Sequence, residues 1–164
     1  MKPIAGGVAT ITRRQAWGAP RDNGKRKHAG LDLAAREGTI VVAPENGRVE
    51  RVAFGGPGAD MDRPWSRYGP AIVLMRGRSG LFHLLAHVHY PLVAPGELVQ
   101  AGQPLAAVSE LAHVHWEIRR GMFPRPGVTN YENSIDPLKW SAGDNDPLDP
   151  CAHEEREEEG KADG

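Results

Sequence analysis

Hydrophobic and polar positions alternate over short stretches of this chain, and no apolar repeat of helical period continues for three turns. Six runs rich in branched and aromatic residues predict β-strands: 39–43, 48–54, 71–76, 81–88, 104–108 and 113–119. The chain's 20 glycines and 14 prolines separate these runs too often for long helices. Residues 31–37 are expected to form one helical turn at most. We therefore predict an all-β fold, mainly antiparallel sheet of sandwich or barrel type, with irregular loops and little helix.

Two of the predicted strands, with the residue that follows the 81–88 strand, hold five of the seven histidines. Side chains alternate between the two faces of a strand, so residues of equal parity share a face. The histidines of equal parity are His113 and His115 on the last strand, and His83, His87 and His89 on and just after the 81–88 strand. We expect each strand to bury an apolar face and to present its histidines on the other. A structural role is the commoner explanation for any one histidine, and it suits His83 and His89 best.

A further pair of candidate ligands, His28 and Asp32, lies about eighty residues before His113 and His115. Zinc sites that do chemistry commonly use three nitrogen or oxygen ligands and leave a fourth position open for water. His28, Asp32 and one histidine of the His113 and His115 pair would supply such a set. The other histidine of the pair would remain beside the metal as a base or a hydrogen-bond donor.

The composition limits the class of protein. A chain of 164 residues is long enough to bury a core in one domain with tails. Its formal charge of −1 does not support a nucleic-acid partner, although the short basic run 25–27 could attract an anionic polymer to the adjacent His28. Cys151 is the single cysteine, so no intrachain disulfide is possible. No run of eighteen apolar residues predicts a membrane span, and the N-terminus lacks a secretory pattern.

Six short motifs follow one another between Lys27 and Arg119. They are His28-Ala29-Gly30-Leu31-Asp32-Leu33-Ala34-Ala35, Gly38-Thr39-Ile40-Val41-Val42-Ala43, Gly47-Arg48-Val49, Leu85-Ala86-His87, Val99-Gln100-Ala101-Gly102-Gln103-Pro104-Leu105 and His113-Val114-His115-Trp116-Glu117-Ile118. In this order they resemble the lysostaphin-like zinc metalloendopeptidases, which cut peptide bonds in bacterial peptidoglycan. Each motif alone is weak evidence, but the ordered series is specific.

The resemblance implies a site and an activity. His28, Asp32 and His115 would be the ligands of one zinc ion per chain, and His113 and His87 would be the catalytic pair. The implied fold is an antiparallel β-sheet with its site in a groove bounded by loops. The implied reaction is hydrolysis of peptidoglycan peptide bonds, in the stem peptide or the cross-bridge, by metal-activated water. Which histidine of the catalytic pair takes which role is left open.

Two departures from the family pattern affect the expected groove. Only residues 109–112 separate two predicted strands where the family usually has a longer loop, so we expect one low wall and a broader substrate choice. In Tyr68-Gly69-Pro70 a proline stands where an asparagine commonly follows the Tyr-Gly pair. Because proline has no backbone N–H, we expect one substrate contact to be missing there.

The resemblance also suggests how the chain is organised. We predict an N-terminal extension at 1–26, a zinc peptidase domain at 27–140 and an acidic disordered tail at 141–164. Such an enzyme would act at the bacterial cell wall, on its periplasmic or extracellular face. In the absence of a secretory pattern, we expect delivery by a larger assembly such as a phage tail, or release by lysis.

Two alternatives remain at this stage. A non-catalytic relative would keep the fold and bind cell-wall peptide or a partner protein, but such relatives typically lose metal ligands that this chain retains. A biotinyl or lipoyl carrier domain would need an exposed hairpin lysine for its modification. Lys139 is the only lysine between Lys27 and Lys161, and its Pro-Leu-Lys-Trp context does not suit that role.

Overall fold

The computed structural model describes residues 1–6, 11–55, 68–123 and 125–141. The elements within these ranges are β1 (Pro20–Arg21), a 3-10 turn (Asp22–Gly24), β2 (Arg26–Lys27), β3 (Leu31–Ala34), β4 (Ile40–Val42), β5 (Gly47–Phe54), β6 (Ala71–Gly77), β7 (Phe82–His89), β8 (Leu98–Val99), β9 (Pro104–Val108), β10 (His113–Arg119), α1 (Asn130–Asn133) and β11 (Ser134–Ile135). The all-β prediction is confirmed. The predicted acidic tail, beyond its first residue, lies outside the described residues.

One antiparallel sheet of nine strands organises the molecule. The strands β11, β10, β7, β6, β5 and β8 lie side by side in that order, while β3 pairs with β10, and β9 pairs with β4 and β7. The strands β1 and β2 form a separate hairpin that leads into β3. Among the described residues, no helix has the length and apolar character needed to cross a membrane.

Both faces of the sheet centre are buried. A larger core on one face includes Val73, Leu85 and Trp116, and a smaller core on the other includes Ile72 and Leu84. Strand β6 passes between these cores and is apolar along most of its length, as expected for a strand buried on both sides. The smaller core lies beneath the face on which the candidate site is built.

Residues 31–37 contain no helical turn, and the segment begins with a strand that the sequence analysis did not predict. β3 pairs with β10 so that Leu31 lies opposite Trp116 and Asp32 lies opposite His115. Leu31 and Leu33 are buried while Asp32 between them faces the other side. This alternation is a strand pattern, and β10 supplies the hydrogen-bonding partner that the short segment needs.

The shared parity of the β7 histidines is broken by a β-bulge. Against β6, Val88 pairs with Ala71 and Ala86 pairs with Ile72, so the residue between them on β7 has no opposite partner on β6. That residue is His87, and its φ of 60° is the left-handed conformation in which a bulge can place a residue. His83 and His87 therefore project from opposite faces, and the prediction that they share one face is wrong.

Candidate metal centre and active site

Three candidate ligand side chains meet where β3 pairs with β10. Asp32 Oδ1 lies 2.9 Å from His115 Nδ1 and 3.2 Å from His28 Nε2, and the two nitrogens are 3.1 Å apart. One ligand atom from each residue lies within 4.8 Å of the other two. Asp32 and His115 are direct cross-strand partners, and such pairs place their side chains side by side. The antiparallel register thus joins residues that are 83 positions apart in sequence.

Each histidine of this cluster is held through its second ring nitrogen. His28 Nδ1 lies 3.0 Å from the Ala16 carbonyl oxygen, and His115 Nε2 lies 3.3 Å from Glu117 Oε1. With a metal ion bound, donation from these nitrogens would leave the lone pairs of His28 Nε2 and His115 Nδ1, the nitrogens that face Asp32, free to bind it. Partners of this kind fix the tautomer and the ring orientation of histidine ligands in metal sites.

Gly30 allows the segment between His28 and Asp32 to lie against β10. A Cβ atom at this position would lie 2.7 Å from the Trp116 carbonyl oxygen and 2.8 Å from His115 Nε2. Neither contact is possible for a real side chain without a shift of the backbone or the ring. The glycine is therefore required by close packing against the site.

The electrostatics of the cluster favour a positive charge at its centre. Burial lowers the pKa of His115, but hydrogen bonds to Asp32 and Glu117 outweigh burial and raise it to about 9. Burial raises the pKa of Asp32, but hydrogen bonds from His115 and His28 lower it well below its usual range. The carboxylates that stabilise a proton on this cluster would equally stabilise a metal cation.

Glu117 supports the cluster from beneath, and sequence reasoning assigned it no role. Its Oε1 accepts hydrogen bonds from His115 and from the Tyr68 hydroxyl at 3.1 Å, and its Oε2 pairs with the Arg119 guanidinium. Burial raises the pKa of Glu117, but the charge of Arg119 and the contact with His115 lower it to about 2. The signal in the sequence was the shared parity of 115, 117 and 119 on one strand.

His87 and His113 lie beside the cluster, with ring centroids 4.8 Å apart. The centroid of His87 is 6.1 Å from that of His115. Nδ1 of His87 lies 2.7 Å from the Gly69 carbonyl oxygen, and Nδ1 of His113 lies 2.8 Å from the Leu111 carbonyl oxygen. These hydrogen bonds make Nε2 the nitrogen of each ring that is available for proton exchange. Burial lowers the pKa of His87, which keeps the ring neutral near pH 7.

A groove of about 690 Å³ contains all five predicted site residues. Its lining also includes the β1–β2 hairpin and residues 129–132 at the start of α1. Arg21 of the hairpin contacts the second oxygen of Asp32, with Nη2 3.0 Å from Oδ2, so the hairpin is tied directly to the cluster. The predicted site residues therefore share one solvent-accessible groove. Their roles as ligands and catalysts remain predictions.

Several proteins of known sequence or structure are similar to this chain. An uncharacterized metalloprotease from Haemophilus influenzae is 32% identical over 97 residues, which are 56% of this chain and 18% of that protein. The chain therefore matches less than a fifth of the length of this relative. The fold is similar to the catalytic domain of the antimicrobial peptidase lysostaphin from Staphylococcus simulans, with a TM-score of 0.57, 20% identity and coverage of 75% of this chain and 86% of that one.

A zinc-containing peptidase from Vibrio cholerae is also similar, with a TM-score of 0.60, 20% identity and coverage of 85% of this chain and 39% of that one. At these identities the structural likeness shows the fold alone. The sequence model of peptidase family M23 matches residues 26–137. In agreement with the lysostaphin-like motifs, this chain belongs to peptidase family M23.

Proposed function

We propose that this protein is a zinc-dependent endopeptidase that hydrolyses peptide bonds in bacterial peptidoglycan. The observation that carries the proposal is the meeting of His28, Asp32 and His115 ligand atoms within 4.8 Å of one another, beside His87 and His113. Family membership supports a metallopeptidase, and the similarity to an antimicrobial peptidase and to a zinc-containing peptidase supports the finer assignment.

The residues of the cluster fit a zinc ion. Two imidazole nitrogens and one carboxylate oxygen are ligands that zinc accepts, and three protein ligands leave a position open for water or substrate. A bound zinc ion would lower the pKa of a water molecule to about 7 and polarise the scissile carbonyl group. Arg21 holds Asp32 Oδ2, and this leaves Oδ1 directed at the two histidine nitrogens.

We assign the proton transfers of hydrolysis to His87 and His113. Their Nδ1 atoms are held by backbone carbonyl groups, so each ring presents Nε2 as a base or, once protonated, as an acid. The low pKa of His87 suits a residue that takes a proton from the attacking water and returns it to the leaving amine. Histidine fits this exchange because its charge changes near neutral pH.

The place of action follows from the proposed substrate. We propose that the protein works at the bacterial cell wall, on the periplasmic or extracellular face. Delivery within a virion, by a phage tail, or by release on lysis remains the sequence-based prediction for how the protein would reach its substrate.

Digestion of defined muropeptides, followed by mass spectrometry of the fragments, tests the function directly. We expect new fragments with free amino and carboxyl ends, loss of cleavage after chelation, and recovery on addition of zinc. Metal analysis of the purified protein should give one zinc per chain. A protein that binds peptidoglycan yet releases no fragment in the presence of zinc would instead be the non-catalytic relative.

A further inference from the structure

The β1–β2 hairpin forms a cationic wall of the groove. Four of its residues are cations that line the groove: Arg21, Lys25, Arg26 and Lys27. The hairpin is immediately followed by His28, and Arg21 contacts Asp32, so this wall has a fixed relation to the candidate metal cluster. A substrate that lies across the cluster must pass close to these charges.

Two of the four cations are neutralised within the protein. Arg21 pairs with Asp32, and Arg26 pairs with Asp22. Among the described residues, no ion pair includes Lys25 or Lys27. The hairpin therefore presents to the groove two ammonium groups that take part in no ion pair of the described residues.

The position of Lys27 is set by an aromatic ring. Its Nζ lies 4.9 Å from the centroid of the Tyr131 ring, which also lines the groove. This cation–π contact directs the ammonium group across the groove towards α1. Hydrogen bonds from the Thr129 backbone N–H and hydroxyl, both at 2.8 Å in a capping box, lower the pKa of the Glu132 carboxylate. The charge of Lys27 lowers this pKa further, although the two side chains form no ion pair.

The other carboxylates of the groove are also engaged. Asp32 faces the histidine cluster and Arg21, while Glu117 is buried against Arg119 and Tyr68. Because no carboxylate of the groove forms an ion pair with Lys25 or Lys27, their ammonium groups are available to an anionic group supplied from outside the chain. Charge-assisted contacts between an ammonium group and a carboxylate are stronger than neutral hydrogen bonds.

We infer that Lys25 and Lys27 determine specificity by binding a carboxylate of the substrate, so that the enzyme prefers an acidic peptide to an uncharged one. The inference rests on the proposed function and narrows its substrate class. Of the two classes open to a peptidoglycan endopeptidase, stem peptides with a free carboxylate fit this wall better than uncharged cross-bridges.

A matched pair of substrates tests the inference. The two muropeptides differ only in one stem glutamyl residue, which carries a free carboxylate in the first and a carboxamide in the second. We expect the wild type to cleave the carboxylate form with a kcat/KM about 5- to 10-fold higher, mainly through KM, because two partly exposed ion pairs contribute on this scale. Added salt should reduce the preference, since it screens such pairs.

Three variants separate specificity from general damage. The double variant K25M/K27M should lose the preference while its rate on the carboxamide form changes less than about 2-fold. The double variant K25R/K27R keeps both charges and should keep the preference. Lys139→Met removes the same charge from an exposed site outside the groove and should behave as the wild type.

Binding of both muropeptides, measured by calorimetry with the wild type and K25M/K27M, separates this inference from the proposed function. Equal cleavage and equal binding of the two forms by the wild type would overturn the inference and leave the endopeptidase standing. Absence of cleavage with lysine-dependent binding of the carboxylate form would overturn the endopeptidase but support the carboxylate site. A loss of equal size on both substrates in K25M/K27M would also refute a role in specificity.

Discussion

His83 and His87 lie four residues apart on β7, but their side chains lie in different environments on opposite faces of the sheet. His83 is fully buried, with Nε2 2.6 Å from Glu45 Oε1 and Nδ1 3.3 Å from Trp116 Nε1. Both of its ring nitrogens are therefore occupied by the protein. His87 holds the Gly69 carbonyl with one nitrogen and turns the other to the groove. A histidine can do chemistry only when the fold leaves one of its nitrogens accessible.

The bulge at His87 creates this difference. Without the extra residue, the alternation along β7 would place His83 and His87 on the same face, in the larger core. With it, His87 lies beside His113 and His115, whereas His83 packs against Trp116 and Trp140. We therefore expect substitution of His87 to affect catalysis and substitution of His83 to affect stability.

Among these substitutions, removal of His115 should have the largest effect on zinc binding and activity. His115→Ala deletes one of three candidate ligands, and we expect loss of both bound zinc and detectable peptidoglycan cleavage. Metal analysis after dialysis and a fragment assay measure the two losses. His83→Ala is the matched control, because it removes a buried histidine from the opposite face and should retain zinc. Stoichiometric zinc in folded His115→Ala would refute the ligand assignment.

Removal of His87 should separate chemistry from metal binding. His87→Ala should keep one zinc per chain and lower kcat by about 100-fold or more, as expected for a lost acid–base group. Because φ at this position is 60°, His87→Asn provides a second variant whose side chain tolerates the left-handed backbone. His87→Asn should be more stable than His87→Ala and should show the same reduced kcat. Full activity in either variant would show that this histidine is not catalytic.

The sequence predicted which residues meet in the groove better than it predicted the path of the chain around them. The parity of His113 and His115 held because β10 pairs with β3 and β7 without a register shift. The parity of β7 failed at His87, since nothing in the local sequence marks which residue a bulge leaves unpaired. Strand propensity alone also missed β3, whose strand state depends on pairing with a partner about eighty residues away.

The supporting carboxylates could not be assigned from sequence for a similar reason. Glu45 lies in a turn before β5 and reaches His83 only because β5, β6 and β7 are adjacent. Its role depends on close packing as well: a Cβ on Gly77 would lie 1.9 Å from Glu45 Oε1. Such a contact joins residues that are far apart in sequence, so the alternation of polar and apolar residues along a strand cannot predict it.

On the groove side of the sheet, substitution of Glu117 should weaken zinc binding without abolishing it. Glu117→Gln weakens the acceptor that orients His115, and we expect zinc to bind about 10-fold more weakly, within the range known for partners of this kind. A competition titration with a chelator measures the change. Glu110→Gln is the control, since it removes an exposed carboxylate that contacts His89 instead. Equal zinc affinity in Glu117→Gln and the wild type would show that the contact does not tune the metal centre.

On the opposite face, loss of His83 should affect stability and not catalysis. His83→Ala leaves the buried Glu45 carboxylate and the Trp116 indole N–H without this partner, at a cost of about 3 kcal/mol in unfolding free energy. Denaturant unfolding measures the loss. Zinc content and kcat, determined well below the unfolding midpoint, should stay within about 2-fold of the wild type because His83 lies outside the groove. Loss of zinc from the folded variant would show that the two faces are coupled.

The pH dependence of stability gives the smallest and most specific test of the His83 environment. Burial raises the pKa of Glu45, but hydrogen bonds from His83 and Ser79 outweigh it and lower the pKa below the usual value of about 4.3. A carboxyl group with a lowered folded-state pKa stabilises the protein above the unfolded-state value, and this contribution disappears as pH falls through the folded-state pKa. Glu45→Gln should therefore be about 2 kcal/mol less stable than the wild type at pH 6, and the difference should shrink towards pH 3. A difference that grows on acidification would mean that Glu45 is bound in its protonated form, and His83 would then lack the anionic partner that distinguishes it from His87.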